Sequence, residues 1–108
     1  MKKLGGGSVG TGGGTLIYTV PTGYQADVID IVIANTSASS IDFSLHLVPS
    51  GGSVGASNAM YGTVPVASYT TTHWNGVQTM NAGDFIQAIG SASGVTVRIT
   101  GDEYRVKA

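Results

Sequence analysis

Two histidines, six carboxylates and a single tryptophan are the residues of this 108-residue chain best suited to chemistry. Asp42 and His46 share the outward face of the alternating stretch SIDFSLHLV. Four residues at about 3.3 Å each nevertheless hold them roughly 13 Å apart, too far to share a metal ion. His73 is remote from both and adjoins Trp74, and both histidines are expected to face solvent. The chain has no cysteine, so thiolate ligands, cysteine nucleophiles and disulfides are excluded together. Gly5, Gly7 and Gly10 have the spacing of a dinucleotide fingerprint, but no strand precedes them and no helical pattern follows to place a helix N-terminus at a pyrophosphate. No Gly-Lys-Ser/Thr sequence is present to form a P-loop. The serines lie in loops without a nucleophile elbow. Of the carboxylates, Asp84 follows Gly83, and Asp102 with Glu103 follows Gly101, which suits turns and edges better than a catalytic pair. The expectation is a protein that is not an enzyme and uses no metal and no cofactor.

Binding has better candidates. Trp74 sits among Thr70, Thr71, Thr72, His73 and Asn75, where an exposed indole would stack on a sugar or fill a partner's pocket, and a buried one would close an end of the fold. Tyr69 and Tyr61 lie close by in sequence. Asp30 interrupts the apolar run VIDIVIA. Its apolar residues occupy both parities, with Ile29, Ile31 and Ile33 on one face and Val28, Val32 and Ala34 on the other, so both faces want cover. A lone carboxylate there needs a cation or several donors, since unpaired burial costs several kcal/mol, and Arg98 or a neighbouring subunit is the expected partner.

The elements that must position these residues read as strands. LIYTV is β-branched and aromatic and stops at Pro21-Thr22-Gly23. QADVIDIVIANTS follows, ending at Asn35-Thr36-Ser37, a glycosylation sequon better read as a turn. SIDFSLHLV places Ile41, Phe43, Leu45 and Leu47 inward. AMYGTVPVASYT is an interrupted or edge strand because Pro65 cannot donate to a ladder. TTTHWNGVQTM is a weaker strand broken at the hairpin dipeptide Asn75-Gly76. DFIQAIG and GVTVRITG complete the set, the last with Val95, Val97 and Ile99 inward. Seven or eight short strands with Gly, Pro, Asn and Asp at the joints predict an all-β chain, a single antiparallel β-sandwich or jelly-roll-like domain over residues 15–108. Residues 1–14 carry seven glycines. They read as a flexible N-terminal arm that cannot offset its own ordering entropy, and Lys2, Lys3, Leu4 and Val9 are its candidate partner-binding residues.

Charged residues make up 10% of the chain, against roughly 25% in ordinary soluble domains, and the formal net charge is -1. Such a surface suits packing against neighbours. Five basic residues, two at the start and three beyond position 97, form no stripe for nucleic acid, and no apolar run approaches a membrane span. Met1-Lys2-Lys3 has no apolar segment behind it, so synthesis in a cytoplasm is expected.

The order of motifs adds a resemblance. A Gly/Ser/Thr-rich lead, then TLIYTVPTGYQADVIDIVIANTSASSIDFSL, then MNAGDFIQAIGSASGVTVRITGDEY, resembles a broad group of small tailed-bacteriophage virion proteins in the order of its turns: Tyr18 to Pro21, Asn35 to Ser37, and Ala82 to Asp84. The chain departs from that pattern at Tyr24, where Lys is common, and across residues 49–80. The resemblance implies a β-sandwich or jelly-roll protein on the outside of the virion. It would be a capsid decoration (cement) protein bound to the major capsid protein and to copies of itself, as a homotrimer, or else a tail-fibre or baseplate domain binding a host glycan through Trp74, Tyr69 and Tyr61.

Overall fold

A computed structural model describes residues 2–9, 15–55 and 58–106, without the side chains of residues 61 and 63. Among these residues the chain forms β1 (Lys2–Val9), β2 (Thr15–Thr19), β3 (Tyr24–Asn35), β4 (Ile41–Val48), β5 (Ala59–Val66), β6 (Thr71–Met80), β7 (Phe85–Gly90) and β8 (Val95–Arg105). They make two four-stranded sheets, ordered β1-β8-β3-β6 and β2-β7-β4-β5. Every pairing is antiparallel. Four of the pairs, β1 with β8, β2 with β7, β3 with β6 and β4 with β5, are the rungs of one long hairpin made by the two halves of the chain. Rolling that hairpin up also brings β8 against β3 and β7 against β4. The result is the eight-stranded jelly roll, an all-β sandwich that agrees with the strand pattern of the sequence.

The core lies between the sheets. Ile31 and Ile33 of β3 and Val97 and Ile99 of β8 meet Phe43 and Leu45 of β4 and Ile86 of β7, all buried. Burying each such side chain is worth about 1.5–3 kcal/mol. The alternation expected for β4 holds from Ile41 through Leu45, and that of β8 from Val95 through Ile99.

The two-sided apolar pattern of β3 has a different cause from the one expected. Against β8 the register of β3 shifts between Val28 and Asp30, which makes Ile29 the extra residue of a bulge; against β6 the extra residue belongs to β6, where Gly76 and Val77 together face Ile29. Side-chain parity therefore inverts at that point. Ala26 and Val28 before the bulge, and Ile31 and Ile33 after it, all face the one core. A second apolar face over residues 28–34 is thus corrected to Val32 and Ala34, each half-buried.

The expected free arm is corrected as well. Residues 2–9 form edge strand β1, paired with β8 from Lys2 opposite Gly101 to Val9 opposite Val95. Val9 is buried in the core and Leu4 packs against it. The glycines provide space rather than slack. A Cβ at Gly5 would collide with the carbonyl oxygen of Ile17 in β2, and one at Gly6 would lie 2.6 Å from the carbonyl oxygen of Val97. Residues 10–14 of the expected arm lie outside the described residues.

Pro65 does sit in an edge strand, β5. β6, by contrast, runs unbroken through Asn75-Gly76, so no hairpin forms there; the dipeptide borders a register shift opposite Ile29.

Candidate functional site

Three local constructions bring together side chains that sequence alone kept apart. On the outer face of the first sheet, bulged β3 turns Asp30 toward β6, where its Oδ1 bonds Nε2 of His73. Arg98, the expected partner, stands opposite Val32 on the other flank of β3, so the carboxylate is paired across the β3–β6 ladder instead. The pairing with His73 corrects that expectation; Asp30 is part-exposed, and the penalty of deep burial does not arise. On the same face Asp27 accepts from Thr79 Oγ1 at 3.0 Å and stands opposite Asp102 in the ladder.

The second construction covers the other sheet. His46 points to the outer face of β4, yet it is only 6% exposed. The segment after β4 folds over it. His46 Nδ1 lies 3.0 Å from the Gly55 carbonyl oxygen and 2.9 Å from Asn58 Oδ1, so this nitrogen carries the proton and donates. Asn58 also accepts from Gly55 N–H at 3.1 Å and donates to the Ser53 carbonyl at 2.9 Å. The solvent-facing position expected for His46 is therefore corrected. An alternating strand pattern cannot reveal that a loop lies over its polar face.

The third joins the two sheets. Tyr18 of β2 donates its hydroxyl to Glu103 of β8, and Lys2 Nζ of β1 reaches the other oxygen of the same carboxylate at 3.1 Å. The Tyr18 hydroxyl, with the Lys2 ammonium behind it, holds the Glu103 carboxyl below its ordinary range. Burial, then the neighbouring carboxylate, pushes the Tyr18 phenol well above its own. Nothing in the sequence marked Tyr18 and Glu103 as partners, since 85 residues separate them.

The six residues expected to touch a partner are divided by the fold. Lys2 is tied to Glu103, Leu4 and Val9 belong to the chain's own interior, and Lys3 is exposed. Trp74 is half-buried against the core, its indole lying over Gly76, where an added Cβ would meet Trp74 Cζ2 at 3.0 Å. Tyr69 is 72% exposed, in the turn between β5 and β6, with a positive φ of 54°. The Tyr61 side chain lies outside the described residues. The turns behave as read. Buried Asn35 accepts from Ser37 N–H at 2.9 Å, and Asp84 accepts from Asn81 N–H and Ser50 N–H, each at 2.9 Å.

Two depressions flank these features. One, of about 190 Å³, is lined by Asp42, Ser44, Ile89 and Ser91 among others; the second, of about 210 Å³, lies by Pro49, Gln78 and Asp84. Both fall short of the roughly 300–1,000 Å³ typical of small-molecule sites. Among the described residues no three His, Asp or Glu side chains converge as metal ligands, and no helix is long and apolar enough to cross a membrane. Comparison with protein-family models, with curated proteins and with solved structures returned no match in any of the three.

Proposed function

We propose that this chain is a structural protein of a tailed-bacteriophage virion, a capsid decoration protein that binds the assembled shell of major capsid protein from outside and stabilises it. The observation that carries the reading is the jelly-roll wrapping of a chain with so little surface charge. Jelly rolls recur in viral capsid and lectin domains, and the order of turns in the sequence points to the virion among those uses. A ligand that binds the completed shell but not its free parts stabilises the shell by mass action, and it needs area and repetition rather than reactive groups. Copies are expected to associate as a closed oligomer.

Quantitative mass spectrometry of intact virions tests this. A coat protein is expected on the order of hundreds of copies per particle, as symmetry-related binding requires. Absence from particles overturns the proposal. A second reading, a tail-fibre or baseplate domain that recognises a host glycan, is favoured by Tyr69, whose ring stands in solvent on a turn. It predicts a few dozen copies or fewer and retention on a glycan surface that Tyr69→Ala abolishes.

A further inference from the structure

A sheet edge invites pairing because its outward N–H and C=O groups have no ladder partner. Folded proteins blunt such edges with lysines, proline, bulges or short strands. Three of the four edges here carry such a device. β1 has Lys2 and Lys3, β2 is five residues long and is approached by β1 at Gly5, and β5 has Pro65 and two register shifts against β4. β6 has no Lys, Arg, Asp, Glu or Pro in its ten residues, and its one device, an extra residue at Gly76 and Val77 opposite Ile29, lies beyond the stretch from Thr71 to Asn75. Its register with β3 is regular from Thr71 to Asn75 and shifts only beyond.

The ladder decides which backbone groups are open. Asn35 N–H donates to the Thr70 carbonyl and Thr36 N–H to the Gly94 carbonyl, both at 2.9 Å. Odd-numbered residues at this end of β3 therefore bond toward β6 and even-numbered ones toward β8. Antiparallel alternation then turns the N–H and C=O of Thr72 and Trp74 toward β3, and those of Thr71, His73 and Asn75 toward the open edge.

We propose that β6 pairs with β6 of a second copy of this chain, antiparallel about a two-fold axis at His73, joining two four-stranded sheets into one. His73 then opposes His73, and Thr71 of each copy opposes Asn75 of the other, giving about six new backbone hydrogen bonds. On the core-facing side Thr72 of each copy opposes Trp74 of the other, which covers the part of the indole that its own core leaves open. The occupant is a second copy because the edge complements itself. No Lys, Arg, Asp or Glu of β6 meets its like across the axis, the Asp30 carboxylate beside the strand is already held by His73 of its own copy, open donors meet open acceptors, and an amphipathic indole fills the step beside them. Such a contact uses the same patch twice and closes at two copies, in place of a three-membered ring.

Light scattering of the full chain at about 100 µM is expected to give twice the 10.9 kDa chain mass, falling to one chain on dilution. Trp74 is the only tryptophan, so its emission reports on this contact and is expected to shift to the red on dissociation. Hydrogen exchange is expected to protect the amides of Thr71, His73 and Asn75 in the associated state and to release them on dilution. Thr71→Pro removes an outward N–H without touching the β3 ladder and is expected to weaken association at least about tenfold. Asn75→Lys tests the same edge with every backbone group retained, should the proline variant fail to fold. A monomer at 100 µM, a three-chain mass, or a dimer whose Thr71 and His73 amides exchange like loop amides overturns the proposal. The outcome is separate from the virion reading: dimers absent from particles would leave the pairing standing, and monomers on particles would do the reverse.

Discussion

The two long margins of the sandwich are built in opposite ways. At one, β1 and β2 come so close that Gly5 has room for no side chain against Ile17, and Lys2, Glu103 and Tyr18 tie three strands from both sheets together. At the other, β5 carries proline and irregular register while β6 presents a regular stretch from Thr71 to Asn75, without Lys, Arg, Asp, Glu or Pro, along an open edge. Closure by backbone proximity demands glycine; a margin left open does not. The glycine-rich start that reads as a tether in sequence is therefore a closed seam of the fold, and the Thr-rich stretch that reads as a weak strand is an open one.

The largest expected effect breaks the closed margin outright. Deleting residues 2–9 removes buried Val9 and part-buried Leu4 and bares the β8 ladder. It is expected to cost at least about 4 kcal/mol, enough to abolish a cooperative thermal transition. An unchanged melting curve would return these residues to the status of a free arm. Next comes a comparison of glycines at the margins, Gly5 and Gly76, with one on inner strand β8, Gly101. A Cβ at Gly101 would collide with the carbonyl oxygen of Asp27, and at Gly5 with that of Ile17, both backbone atoms, whereas at Gly76 it would meet the Trp74 ring. Gly101→Ala and Gly5→Ala are expected to lose about 2–3 kcal/mol in urea unfolding and Gly76→Ala about 1 kcal/mol or less, since a side chain can shift and a ladder cannot. Equal losses at all three would erase the distinction.

A smaller effect sharpens the closed margin by pH. The Glu103 carboxyl is held below its ordinary 4.5, first by Tyr18 and then by Lys2, so its stabilisation is complete above 4.5 and is lost as pH falls through the lower, folded value. The Tyr18 phenol is raised above its ordinary 10.0, first by burial and then by Glu103, so its contribution is complete below 10.0 and declines as pH rises toward the folded value. Glu103→Gln is expected to cost about 1 kcal/mol at pH 7 and to flatten the acid limb of the stability curve. Tyr18→Phe is expected to flatten the alkaline limb. The smallest effect belongs to the outer face near the open margin. Asp30→Asn breaks a part-exposed pair with His73 and is expected to change stability by less than about 0.5 kcal/mol. A loss of 2 kcal/mol would mean that the carboxylate is far more buried than its exposure indicates.

How much of this was legible beforehand differs from residue to residue. Pro65 announced an edge strand because a missing N–H is a local fact. Asn35 and Asp84 announced turns for the same reason, since each bonds to backbone groups a few residues away, Asn35 to Ser37 and Asp84 to Asn81. Trp74 was legible as a residue of two meanings, and the structure places it between them, part in the core and part at an edge. His46 departs from its expected place because its cover comes from a loop, and Asp30 because a one-residue bulge at Ile29 against β8 reverses the parity on which its neighbours are assigned.

By itself, then, the sequence determined that the chain is all strand, where several of its turns fall, and which side of β4 and β8 is apolar. All of these depend on interactions within a few residues. Only the tertiary structure decided that Lys2 lies beside Gly101, that the glycines of β1 serve as clearance, and that Asp30 meets His73 rather than Arg98. Those outcomes rest on strands brought together across most of the chain's length, where the choice of neighbour is made by how a long hairpin rolls up. No local pattern of residues records that choice.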